Sequence, residues 1–322
     1  MAGPTERAVT SILEALVPVL VLIALGWGLR RSHFIDDAVW SGIEKLTYFV
    51  LLPALLVATL GERSLDGMAW PAWFTVVTGT LLVAIAALFA LPLRSGRGPA
   101  SRDAEVGPAF TSVFQGGVRF NTYIALSLVQ AFYGARGLAV GSMAAGLMIL
   151  LVNLACIAVF ARYGRARIAG TGPFLRAVFA NPLILACLLG WALSLSGVGL
   201  PGVSGEVLAV VGRAALPLGL LAVGAALRPE AIRGHLPPAA WASLVQFGVK
   251  PVVAVLLVGL VGLRGMEAGV LLLMFCVPTA SSAYILARQL GGDAESMASI
   301  ITVQTLLAFA LMPVALLVAE RL

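Results

Sequence analysis

Apolar residues run along this chain in long blocks, broken by short clusters of Arg, Gly and Pro, from one end to the other. A helix of about 20 apolar residues spans the roughly 30 Å hydrocarbon core of a bilayer, so each block predicts one crossing. The breaks place ten helical spans at residues 10–29, 38–60, 69–93, 106–133, 137–161, 175–196, 204–227, 239–263, 266–290 and 294–319. No polar segment of domain size separates them. The pattern predicts one all-α integral membrane domain.

The charges between spans fall unevenly. With connections numbered alternately, one side collects Arg30, Arg31, Arg94, Arg97, Arg102, Arg162, Arg165, Arg167, Arg176, Arg228, Arg233 and Arg288. The other side holds only Arg7, Arg63, Arg136, Arg264 and Arg321. The positive-inside rule puts the first group in the cytoplasm and both termini outside it. Composition agrees: 60% of the 322 residues are hydrophobic and 11% charged, with a mean hydropathy of +1.01, outside the range of soluble domains. The net charge of +6 is spread as single, paired or tripled arginines rather than on a basic face, so nucleic acid is not an expected partner. Cys156, Cys187 and Cys276 lie in apolar runs at spacings of no metal or redox motif and read as small hydrophobes. The first apolar run, 12–29, is too long for a signal-peptide core and has no small-residue cleavage site before Arg30-Arg31, which makes it the first span.

An internal repeat is legible. Pro18 followed by Gly26-Trp27 in span one recurs as Pro182 followed by Gly190-Trp191 in span six, an offset of 164 residues. "LLPALL" around Pro53 and "ALPLGLL" around Pro217 repeat the same offset of 164. Asn121-Thr122 and Gly134 match Pro278-Thr279 and Gly291 at an offset of 157, the difference lying in the longer basic linker from Arg94 to Glu105. The halves divide at 1–166 and 167–322. Five spans per repeat is an odd number, so the second copy enters the membrane from the opposite side. Inverted repeats of this kind place a substrate near the midplane, where discontinuous helices meet.

Spans four and nine carry the interruptions. Pro278 has no backbone N–H and biases Val277 away from helical angles, which breaks span nine with Pro278 near the start of its second half. In span four, Gly116 and Gly117 of "GGVRFN" weaken the helix and Asn121 is placed to cap a new one. Broken backbone at membrane depth is tolerated only inside protein or beside a water-lined cavity, so the two breaks are expected to face each other. Each second half-helix then offers N–H groups and a positive dipole end to an anion. Arg119 adds a full charge; at mid-bilayer it costs about 2.5–3.5 kcal/mol on insertion scales, and its planar fork suits a carboxylate. The competing structural reading is an Arg119 that snorkels to an interface.

Gln115, Thr122, Tyr123, Ser281 and Ser282 lie close enough along the chain to complete the lining, with Thr279 orienting the ligand. In span eight, Gln246 and Lys250 interrupt another apolar run. Four roles fit Lys250: a second cationic contact, a counter-charge, a residue whose charge depends on occupancy, or a structural partner for a helix C-terminus. Asp293 and Glu295 read as caps for span ten, and Asn181 as the start of span six. "GVSG" at 202–205 matches an intramembrane serine protease pattern, but His33 and His235 fall in connections on the opposite side from Ser204. A nucleophile needs a base within hydrogen-bond reach, so Ser204 reads as an N-cap. No metal site, phosphate loop or dinucleotide fingerprint occurs, and no cofactor is expected. An anion channel is the alternative non-enzymatic class.

"FNTYIALSLVQAFYG", "CVPTASSAYILARQLGGD" and "ANPLILACLLGWAL" together resemble the auxin efflux carrier family, a branch of the bile-acid/sodium and sodium-proton transporter relatives; the likeness covers essentially the whole chain. It implies ten helices, a crossover site with Asn121 and Pro278 at the crossing positions, elevator-like alternation between a mobile and a scaffold domain, and a homodimer. It also implies export of a small organic anion, auxin-like or malate-like, across a bacterial inner membrane. Plant members carry a proline before the Asn-Thr pair where this chain has Phe120. Neither crossover contains an Asp or Glu, and the membrane potential favours anion exit by about 2.3 kcal/mol per charge per 100 mV, so export can run without a coupled ion. Coupling to protons or sodium is the alternative.

Overall fold

The computed structural model describes residues 4–61, 69–90, 106–165, 172, 176 and 179–322, with side chains from residue 12 onward. Arg63, Arg94, Arg97, Arg102, Arg167, the side chain of Arg7, the basic linker from Arg94 to Glu105 and the division between the halves at 166/167 lie outside the described residues. The described residues are almost wholly helical and contain no strand.

Fourteen α-helices can be followed in chain order among them: α1 (Pro4–Arg31), α2 (Asp37–Leu46), α3 (Leu52–Gly61), α4 (Trp70–Ala90), α5 (Val106–Val118), α6 (Thr122–Tyr163) and α7 (Pro182–Leu195) in the first part of the chain. The rest are α8 (Ser204–Arg213), α9 (Ala215–Ala225), α10 (Leu236–Ser243), α11 (Lys250–Val261), α12 (Gly265–Cys276), α13 (Ala283–Leu290) and α14 (Ala294–Arg321). Wide π-type turns, Thr47–Leu51 and Leu244–Val249, join α2 to α3 and α10 to α11.

Many of these helices are pieces of longer rods, and local chemistry explains the joints. Pro217 has no N–H to give the carbonyl of Arg213, so α8 stops there and α9 starts at Ala215. Gly134, at φ 66 and ψ −157, interrupts α6 with a conformation open to glycine alone. Asn181 accepts from the N–H groups of Leu183 and Ile184 and caps α7, with Pro182 at the first helical position. Asp293 does the same for α14, accepting from Ser296 N at 3.0 Å. Ser204, expected as a cap, is instead the first residue of α8; its hydroxyl donates back to Pro201 O at 2.6 Å.

Seven helical runs among the described residues are long and apolar enough to cross a membrane: 12–31, 37–61, 70–90, 106–163, 204–225, 236–261 and 294–321. Pro182–Leu195 and Gly265–Cys276 are shorter apolar helices. Several rods keep large apolar side chains on their outer face, such as Leu13, Val17, Val21 and Leu25 on α1 and Val252, Leu256 and Leu260 on α11. Spaced by four residues, each set forms one stripe, as expected where lipid rather than water is the solvent. This is a multi-pass membrane protein.

Candidate functional site

The two interrupted helices meet end to end. α5 runs to Val118 and α6 begins at Thr122, leaving three residues between them; α12 ends at Cys276 and α13 begins at Ala283, leaving six. The N–H of Asn121 donates to Pro278 O at 2.8 Å, joining the breaks directly. The glycine pair does not end α5: Gly116 and Gly117 are helical and let Ile300, Ala242 and Leu88 pack against that face. The break comes at 119–121, where Asn121 turns extended (φ −84, ψ 101) and its Oδ1 caps Ile124 N. Pro278 also sits further from its helix than expected. Val277 is extended, and the chain runs without helix until Ala283.

A helix end buried away from water needs partners for its last carbonyls; Arg119 N turns back to Gln115 O at 2.9 Å, and other elements supply further donors to the end of α5. Thr279 Oγ1 donates to Gln115 O at 3.1 Å, and Gln304 Nε2 to Gly116 O at 2.9 Å. Lys250 Nζ reaches both Val118 O and Arg119 O at 3.4 Å. Gln304 turns its Oε1 to Thr279 N at 2.9 Å, so one amide ties both breaks. Gln246 bridges similarly: its Nε2 donates to Val277 O, and its Oε1 accepts from Lys250 Nζ at 2.8 Å.

With its backbone fixed in this way, Arg119 lines a cavity of about 340 Å³ that Lys250 does not reach. Nη1 donates to Asn153 Oδ1 at 3.1 Å and Nη2 to Ser282 Oγ at 3.2 Å. The residue is only 7% exposed, and among the described residues no carboxylate pairs with it and its Nε has no partner. Asn121 Nδ2, next to it in the break, is also without a partner. The rest of the lining is amphipathic: Tyr48, Phe49, Tyr123, Asn181, Ser281 and Ile285 among others, with Glu44 at one side. Glu44 and Ser281 also border a second cavity of about 280 Å³ that gathers Arg30, Arg228 and Arg288. Arginines of three separate connections thus converge on one face, as their assignment to one side of the membrane requires.

The residues picked out in the sequence divide into two groups. Arg119, Ser281 and Ser282 line the cavity. Asn121, Pro278 and Thr279 knit the crossing itself, and Thr122 opens α6 at 8% exposure. Gln115 is wholly buried between α5 and the helices behind it, with Nε2 3.4 Å from Ala283 O, and does not line the cavity. Lys250 does not line the cavity; its Nζ lies by the carbonyls at the end of α5. Asn153 and Gln304 carry much of the geometry yet stand outside the segments that mark the crossing; each is the single amide in its apolar run, "LMILLVNLACIAVF" and "ASIITVQTLLAFAL". An isolated amide in such a run is itself a signal of an interhelical partner.

Apolar rods interrupted midway, with a buried guanidinium at the junction that has no ion-pair partner among the described residues, define the class of membrane transport proteins. The family model described as membrane transport protein matches residues 11–166 and 168–316. The chain belongs to that family, the auxin efflux carriers. An uncharacterized transporter of Methanothermobacter thermautotrophicus is 25% identical over 305 residues, covering 93% of this chain and 96% of the relative. The ileal sodium/bile acid cotransporter of Oryctolagus cuniculus is 35% identical over 79 residues, 24% of this chain and 23% of that protein.

Proposed function

We propose that this protein is a secondary carrier for a small organic anion, held by Arg119 at the junction of two broken helices. The observation that carries the reading is the Arg119 guanidinium: buried, facing a cavity, ion-paired with no carboxylate among the described residues although Glu44 lines the same cavity, and with Nε unpaired. A buried cation without a counter-ion is costly, and a bound carboxylate relieves that cost through paired N–H···O bonds. Asn121 Nδ2 supplies a further donor, and Tyr48, Phe49 and Ile285 give the apolar part of an organic anion a surface.

Ten crossings arranged as two inverted five-helix repeats support alternating access. The run 106–163 is 58 residues long, far beyond the ~20 that one crossing needs, and Gly134 divides it into two. α7 makes one further span, and α12 with α13 make another. Internal symmetry agrees with this count. Gly26 on α1 lies against Leu221 of α9, while its repeat mate Gly190 on α7 lies against Leu60 and Leu56 of α3; spans one and seven pair as spans six and two do. Gly134 and Gly291, matched in the repeat, both take positive φ, 66 and 72. In this reading one repeat occupies 1–166 and the other 167–322, the arginine-rich face is cytoplasmic, both termini are outside, and the carrier works by an elevator-like movement as a homodimer in a bacterial inner membrane. Export needs no coupled ion.

The test is uptake and exchange of radiolabelled mono- and dicarboxylates in proteoliposomes. Saturable flux with trans-stimulation is expected, and Arg119→Ala lowers kcat/KM by about 100-fold, the scale of two lost hydrogen bonds to a charged group. Arg119→Ala protein that is folded and transports normally would sink the reading; conductance far above carrier turnover would make the protein a channel.

A further inference from the structure

We infer that the Lys250 ammonium occupies a built monovalent-cation site behind the crossing, and that cutting the side chain back to Cβ turns this place into a sodium site. Lys250 has no exposed surface. Its Nζ faces three neutral oxygens: Gln246 Oε1 at 2.8 Å, Val118 O at 3.4 Å and Arg119 O at 3.4 Å. The Phe275 ring adds its face, with the centroid 5.8 Å away. Val118 O is the last carbonyl of α5 and Arg119 O follows it directly, at the end where the negative pole of the helix dipole gathers. The third is pre-aimed, because Gln246 Nε2 is committed to Val277 O and only Oε1 is left to point inward.

Neutral oxygens without a carboxylate suit a single charge; a divalent ion takes carboxylates. Among the described residues no Asp or Glu is ion-paired with Lys250. The two carbonyl distances of 3.4 Å are long for N–H···O bonds. The tethered Nζ therefore comes close to Gln246 Oε1 alone, whereas an ion free of the stem can move toward the two carbonyls. Sodium, about the size of calcium, takes oxygens at roughly 2.3–2.6 Å, and with the lysine stem removed there is room for the ion and a water at the same pole. The lysine supplies by tether what a bound ion supplies by mass action: a positive charge that holds the end of α5 against the second break through Gln246. Wild-type protein accordingly needs no sodium to keep the crossing assembled. This inference does not depend on Arg119 or on the transported anion.

The test is thermal unfolding of purified protein in sodium chloride against choline chloride at equal ionic strength. Neither wild-type protein nor Lys250→Met protein should change its own melting temperature between the two salts, because lysine or methionine fills the space an ion would need. Lys250→Ala and Lys250→Ser should melt lower in choline and recover by about 5 °C as sodium saturates the site, the shift expected at a hundredfold excess over the dissociation constant. Equal melting of both short variants in the two salts would overturn the inference. So would a specific sodium response in wild type or Lys250→Met, or failure of both short variants to fold in either salt. No anion enters this measurement, so its failure and that of the carrier reading are separate.

Discussion

The two breaks do the same topological job with different chemistry. The first is three residues long, closes at once on the Asn121 cap, and has Lys250 at the carbonyls behind it. The second runs for six residues, its helix starts without a side-chain cap, and its carbonyls are met by neutral donors alone, Asn121 N and Gln246 Nε2. The short break fixes a backbone and aims one long cationic side chain. The long break leaves Ser281 and Ser282 in open chain, where Ser282 Oγ accepts from Arg119. One side brings a cationic side chain on a three-residue break and the other brings hydroxyls on a six-residue one.

The largest effect on this pairing is expected from Gln304→Leu, which leaves Thr279 N and Gly116 O both buried and unpaired. At about 1–3 kcal/mol for each orphan, the loss of roughly 3 kcal/mol should appear as a large fall in melting temperature followed by tryptophan fluorescence. Lys250→Met comes next. It strips the first break of its cation and should cost about 2 kcal/mol in the same measurement, and a loss well below that would mean the two breaks are backed alike. Asn121→Ala removes the cap on Ile124 N and should cost about 1 kcal/mol, with faster hydrogen exchange confined to the first turn of α6. The smallest effect is expected for Pro278→Ala, at or under about 1 kcal/mol through the unfolded chain. The second break should persist, because Gln246, Gln304 and Asn121 hold its backbone whether or not residue 278 can donate. A continuous helix through 276–283 in that variant would show that proline, not the surrounding amides, makes the break.

Much of this was readable from the chain. Apolar blocks marked the seven long apolar runs found among the described residues, one of which, 106–163, covers two expected spans, because lipid leaves backbone no alternative to helix, and Arg119, Asn121 and Pro278 stood out because each is expensive or impossible inside an unbroken rod. The glycine pair misled: in a soluble helix Gly116-Gly117 marks weakness, but here both admit neighbouring side chains and stay helical. Asn153 and Gln304 were harder to see, since an amide in an apolar run says that a partner exists and not which one.

The sequence alone determined that the chain is helical, lives in a membrane and carries interrupted segments, because hydropathy and backbone hydrogen bonding are local demands that each stretch meets by itself. Only the tertiary structure decided that Arg119 lines the cavity while Lys250 meets the carbonyls at the end of α5. That choice depends on where carbonyls left over from one segment find donors on another, up to 188 residues away, brought within hydrogen-bond reach by packing rather than by any pattern along the chain.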